Sequence, residues 1–158
     1  MIIHAAFDSD VNIGLYGFAT DKYALIGRND KKLKEAMKVP VIETTALDTA
    51  LVKIFVAGNS HGIVVPKILE EFEMGRLKEK LNVLLLDDLH TALGNLVLMN
   101  DNGIIISPLL KKHRKTIAEF FSLPCEVSAI AKMNTVGTLA LATNKGCLVH
   151  PKIRKNEK

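Results

Sequence analysis

Leu93–Pro108 reads LGNLVLMNDNGIIISP: an apolar run, a polar turn at Asn100–Gly103, a second apolar run and a proline. Asn, Asp and Gly between two apolar runs predict a β-hairpin. The same layout recurs in VKIFVAGNSHGIVVP (Val52–Pro66) and VGTLALATNKGCLVHP (Val136–Pro151) and, without the proline, in NIGLYGFATDKYALIG (Asn12–Gly27). The interval is 9 from Gly14 to Tyr23, Lys53 to Gly62, Gly94 to Gly103 and Gly137 to Gly146, and the starts step by 39, 41 and 43 residues. Even stepping of this kind is the mark of a repeat architecture. Gly62, Gly103 and Gly146 close three of the turns, where a positive φ is expected.

Working outward from the hairpins, Pro66 and Pro108 stand where proline opens a helix. Ser107 is placed to cap the second. Beyond it Leu110, Ile117, Phe120 and Phe121 fall on one side, with Lys111, Lys112, Arg114 and Lys115 on the other. Residues 68–81 pair Ile68 with Phe72 and Leu77 with Leu81, although Gly75 weakens the helix, and Asp30–Lys38 gives a shorter one. A connecting strand follows (Val39–Thr45, Asn82–Leu86, Glu126–Ile130), then a turn containing Thr49, Thr91 or Thr135. The expected units span about 1–45, 46–86, 87–130 and 131–158. A unit of some forty residues cannot enclose its own core, so the units must pack around a common centre as one repeat domain. After Pro151 only KIRKNEK remains, too short for a fourth helix, so the last unit is incomplete and the edge at Cys147–His150 is expected to be open to self-association.

Composition agrees with one compact body. The chain has 158 residues, 48% hydrophobic and 24% charged, with five prolines and ten glycines, which excludes collagen-like and intrinsically disordered classes. Twenty-one basic against seventeen acidic residues give a net charge of +4, too modest to establish nucleic-acid binding. The longest apolar runs, such as Val83–Leu86, are far short of the roughly 20 residues of a membrane span. MIIHAAFDSD does not resemble a leader, and Cys125 and Cys147 alone supply neither a disulfide scaffold nor a four-cysteine zinc site. The expectation is a soluble protein of the reducing cytoplasm.

GNSHGIVVP, HTALGNLVLMNDNG, ISP and NKGCLVHP, in that order and spacing, resemble the archaeal and eukaryotic translation initiation factor 6 family, from the N-terminal strand to His150–Pro151. The resemblance implies an α/β fold of the pentein type, a pseudosymmetric propeller of hairpin-helix-strand units. Its ring would be incomplete here, with about four of five units. It further implies a factor that binds the large ribosomal subunit and keeps the small subunit from joining, with no enzymatic activity and no cofactor.

Parallel hairpins gather their starts on one rim and their turn tips on the other. Candidate partner-binding residues are Asn12, Gly14, Lys53, Ile54, Leu93, Gly94, Asn95 and Thr138 on the first rim, Gly137 lying beside them. The resemblance places the ribosomal contact on the side of the ALGN turn, so Asn95 leads. On turn preference alone, Asn and Gly at either rim need only be turn residues. The second rim holds Thr20–Lys22, Asn59–His61, Asn100–Asn102 and Asn144–Lys145.

Other chemistry is weaker. His90 beside Asp87 and Asp88 reads as polar surface, with no Cys/His pair to complete a metal site. Lys111–Lys115 is a solvated helix face before it is a phosphate contact, and at 5% aromatics there is little to stack on bases. A guanidine-modifying enzyme of the pentein type would use Cys147 as nucleophile with His150, but residues three apart on a strand face opposite ways. The remaining alternative is a non-ribosomal protein or RNA interaction module.

Overall fold

The computed structural model describes residues 7 and 10–157; the expected N-terminal strand and the opening of unit 1–45 lie outside the described residues. The fold is mixed α/β with four small sheets. In the first, β1 (Gly17–Ala19) pairs antiparallel with β2 (Ala24–Ile26), and β3 (Val41–Glu43) joins β2 in parallel. The second repeats this with β4 (Ala57–Asn59), β5 (Gly62–Pro66) and β6 (Val83–Leu86), and the third with β7 (Val97–Met99), β8 (Ile104–Ile106) and β9 (Cys125–Val127). The fourth has only the hairpin, β10 (Ala140–Thr143) with β11 (Gly146–Val149). Pairs Gly17↔Ile26, Val97↔Ile106 and Ala140↔Val149 hold one register across the hairpins.

Each hairpin begins with a helical turn where the sequence reading placed strand. These are a 3-10 turn at Ile13–Leu15 and one-turn helices at Val52–Phe55, Leu93–Leu96 and Val136–Leu139, numbered α2, α4 and α6. The signal was in the spacing: Leu93 and Leu96 are both buried and three apart, which suits a helix, whereas a strand would turn them to opposite faces.

Three further helices pack outside the hairpins. Helix α1 (Lys31–Ala36) is capped by Asp30, whose side chain accepts from Leu33 N at 2.6 Å. Helix α3 (Glu71–Lys78) starts later than expected because Glu70 and Glu73 form a reciprocal cap. Its inward face is Glu73, Met74 and Leu77; of the two pairs chosen from the sequence, Leu77 and Leu81 pack inward, whereas Ile68 and Phe72 face solvent. Ser107 caps as expected, accepting from Leu109 N, but Pro108–His113 is 3-10 and α5 proper covers Arg114–Phe121. There Ile117 and Phe121 are buried and Phe120 is partly exposed.

Two clusters form most of the core: Val64, Leu93, Val97, Ile106, Leu110, Ile117 and Phe121 in one, and Leu25, Val52, Val56, Ile63, Val65 and Leu77 in the other. The second strands β2, β5 and β8, flanked by two neighbours, are almost wholly buried. Strand β11 is the exception. Among the described residues it has no third strand beside it, and Leu148 is 74% exposed. Among the described residues no helix is long and apolar enough to cross a membrane.

The glycine expectation fails in an informative way. No described glycine has a positive φ; the left-handed residues are the pairs Leu47–Asp48 and Ala131–Lys132, together with Ser122. Glycine is required by close approach instead. A Cβ on Gly94 would overlap the Lys53 carbonyl oxygen, and one on Gly137 would overlap that of Gly94. Thus α2, α4 and α6 stack backbone to backbone in succession, and the 3-10 turn at Ile13–Leu15 lies against α2.

Candidate functional site

The hairpin array has two ends with opposite chemistry. At the tip end several polar groups bond from one hairpin to the next, although the buried Ser60 hydroxyl has no hydrogen-bond partner among the described residues. Tyr23 Oη donates to Asn59 O at 2.9 Å, Asn59 Nδ2 to Asn100 O at 2.9 Å, and Asn100 Nδ2 to Thr143 O at 2.9 Å. Ser60 N donates to Asp101 Oδ1 and Asp101 N to Asn144 Oδ1, both at 2.8 Å. Asn144 Nδ2 then donates to Asp101 and to Asp21, each at 2.7 Å, which brings the circuit back to the first tip. These residues are more than turn formers: each lashes one hairpin to another.

The start end carries the predicted site residues. Asn12 and Gly14 are exposed, Asn12 bonding twice to Asp10 Oδ1 at 2.8 and 2.9 Å. Ile54 is half-buried, and Thr138 is exposed with Oγ1 donating to Thr135 O. Asn95 is half-buried on α4, and its side-chain amide has no hydrogen-bond partner among the described residues. Leu93 and Gly94 are buried, so Leu93 anchors the turn from beneath and offers no side chain to a partner. Lys53 turns inward, donating from Nζ to Gly94 O at 3.1 Å above the Phe18 ring.

Exposed apolar residues at this end escaped the sequence reading. Val11 is 79% and Ile13 42% exposed, with Leu15 beside them. Their signal was present, three apolar residues alternating with Asn12 and Gly14 in a segment that is turn and not strand.

Elsewhere, Asp88 gathers partners. Its carboxylate meets His90 Nδ1 and His113 Nε2, each at 2.8 Å, and Lys112 Nζ at 3.0 Å. Burial alone would raise this carboxyl, but hydrogen bonds from the His90 backbone, Lys112, His90 and His113 hold it well below the usual carboxylate range. Among the described residues no group of three His, Cys, Asp or Glu side chains is arranged to hold a metal ion. Cys147 is exposed, opposite Ala142 in the hairpin, and its Sγ lies 3.9 Å from Leu148 O; His150 Nδ1 accepts from Lys152 N.

The repeated strings, the hairpin-plus-parallel-strand sheets and the stacked ALGN turn coincide with a family model, described as the eIF-6 family, that matches residues 2–158. The chain belongs to the eIF-6 family. It is 34% identical over 99% of its length to translation initiation factor 6 of Methanocaldococcus jannaschii, covering 74% of that protein. To the factors of the same name from Thermococcus onnurineus and Methanococcus vannielii it is 36% identical over 96% of its length, covering 72% of each. The chain therefore spans about three quarters of the length of these eIF-6 relatives.

Proposed function

We propose that this chain is a translation initiation factor that binds the large ribosomal subunit through the start end of its hairpin array and, by occupying that surface, prevents the small subunit from joining. The four units, about 1–45, 46–86, 87–130 and 131–158, form on this reading an incomplete pentein-type ring. The observation that supports the choice of end is a single side chain: Asn59, Asn100 and Asn144 are bound into the tip circuit and Asn12 to Asp10, whereas the half-buried Asn95 amide has no hydrogen-bond partner among the described residues. A polar side chain without a partner among the described residues, at the end that also exposes Val11 and Ile13, has its hydrogen bonds available for a partner.

Asn12, Gly14, Ile54, Asn95 and Thr138 are the proposed contacts. Lys53, Leu93 and Gly94 support them from within. Function would be exclusion of volume, with no bond made or broken, and the mechanism asks only that the surface be rigid. The backbone stacking of α2, α4 and α6 supplies that rigidity.

Asn95→Arg places a long charged side chain at the centre of this surface. Co-sedimentation of the variant with large subunits should fall by tenfold or more, the scale of an interface hot spot. The thermal midpoint should stay within the range of surface substitutions, because among the described residues Asn95 makes no side-chain hydrogen bond that would be lost. Unchanged binding by Asn95→Arg, together with loss of binding on Lys22 or Lys145 substitution, would assign docking to the tip end instead.

A further inference from the structure

The loop of residues 87–90 carries the chain from β6 to α4 and so belongs to the start end of the array. Its third residue, Leu89, is 95% exposed, the most exposed of the described large apolar side chains. A lone leucine in water is ordinary on a protein surface, but this one has company. Val11, Ile13 and Leu15 are exposed ahead of the first hairpin and Met133 ahead of the last, all at the same end. We propose that Leu89 is an apolar anchor of the docking surface, seated in a recess of a protein of the large subunit, and that Asp88 is the positioning residue that presents it. The inference rests on the ribosomal reading and adds to it a side chain that docking buries.

The loop is held on both sides of Leu89. The Asp88 side chain is only 3% exposed, and each of its oxygens takes two donors. Oδ1 accepts from His90 N at 2.9 Å and meets His90 Nδ1 at 2.8 Å, while Oδ2 meets His113 Nε2 at 2.8 Å and Lys112 Nζ at 3.0 Å. A carboxylate only accepts, so both imidazole nitrogens carry hydrogen in this arrangement. The first pair of bonds closes the turn across Leu89, and the second ties that turn to the 3-10 segment ahead of α5. The backbone that carries Leu89 is therefore set before a partner arrives, and little loop freedom is lost on docking.

The chemistry around Leu89 selects the kind of partner. Taking a leucine out of water is favourable against an apolar surface, which a phosphate backbone does not offer. The two ammonium groups bonded to this loop are already held on its carboxylates, Lys67 on Asp87 at 2.7 Å and Lys112 on Asp88 at 3.0 Å, so neither is left for a phosphate. An apolar recess on a protein fits this loop; an RNA strand does not.

The test uses the whole chain, co-sedimented with large subunits, with Asn95→Arg as a separate check on the ribosomal reading. Leu89→Asp and Leu89→Lys should each weaken binding by about tenfold or more, the scale of one buried leucine. Neither should move the thermal midpoint, because in the free protein this side chain is in water. Leu89→Met, which keeps the apolar volume, should recover most of the loss. Against rRNA the two charges would act in opposite directions, so a Leu89→Lys variant that binds more tightly than wild type would overturn the proposal in favour of an RNA contact. Asp88→Asn should weaken binding as well, and adding it to Leu89→Asp should cost little more, because Asp88 acts through Leu89. Fully additive losses would remove Asp88 from the positioning role, and if Asp88→Asn fails to fold, the Leu89 series still decides on the anchor. Binding at the wild-type level by both charged Leu89 variants, with Asn95→Arg impaired, would sink the anchor and leave the ribosomal reading standing; a wild-type chain that does not pellet with large subunits would overturn both.

Discussion

Gly94→Ala should cost the protein about 3 kcal/mol or more, the upper part of the range for overpacking a closed site. For a chain of this length that corresponds to a fall in thermal midpoint of about 6–12 °C. The reason lies in the backbone. A methyl at residue 94 meets the Lys53 carbonyl, with Val56 O only 2.9 Å away, and carbonyls cannot be moved aside by a change of rotamer. To admit the methyl, α2 and α4 must separate, and with them Val52, Val56, Leu93 and Leu96 leave their contacts in both core clusters. Gly137→Ala should behave likewise, because its added carbon meets the Gly94 carbonyl.

Two glycines serve as controls. Gly14 has nothing within 4 Å of the added carbon, so Gly14→Ala should lie within about 0.5 kcal/mol of wild type. Gly75 is equally open and sits inside α3, where alanine should stabilise by about 0.5–1 kcal/mol. Chemical denaturation of the four variants checks the set. A Gly94→Ala midpoint indistinguishable from that of Gly14→Ala would mean that the helical turns are not stacked as described.

These glycines show what was legible in the sequence and what was not. The 9-residue interval located the hairpins and their common register, because apolar runs and polar turns are one-dimensional signals. The same interval aligned Gly94 with Gly137 and Lys53, the three residues that the fold brings together. What one dimension could not show was why. The turn glycines looked like positive-φ residues, yet the conformational demand sits at Leu47–Asp48 and Ala131–Lys132, which carry no turn signature. Asn100 and Asn144 looked like turn formers, and only the spatial neighbourhood of the tips reveals that their amides cross from hairpin to hairpin. The face of α3 was misjudged for a related reason. Its buried stripe contains a glutamate, so a search for apolar periodicity found Leu77 and Leu81 but added Ile68 and Phe72, which are exposed, in place of Glu73 and Met74.

That glutamate carries the last large expected effect. Glu73 is fully buried, and its two oxygens accept from Leu47 N and Asp48 N at 3.1 Å and from Glu70 N at 3.2 Å. Leu47 and Asp48 have φ of 52° and 57°, a backbone state costing roughly 1–2 kcal/mol per residue for side chains of this kind. The carboxylate holds both in place. Glu157 does the same for Ala131 N and Lys132 N, with Arg154 N in the role of Glu70 N. Its place in the short turn Lys155–Glu157 shows that the tail after Pro151 repeats the start of α3, which composition alone had hidden. Glu73→Gln turns an amide NH₂ toward N–H groups that need acceptors, and should cost about 2–4 kcal/mol, since buried donors are left unpaired beside strained residues. Burial by itself would raise the Glu73 carboxyl, but the hydrogen bonds from Thr45, Asp48, Glu70 and Leu47 outweigh it and hold the group below the usual glutamate range. A carboxylate depressed by folding contributes stability that is complete above its unfolded pKa, about 4.3, and is lost as pH falls from there through the folded value. The gap in denaturation midpoint between wild type and Glu73→Gln should therefore be constant from pH 7 down to about pH 5 and close progressively below about pH 4. A gap that is already absent at pH 7 would show that the left-handed turns need no clamp.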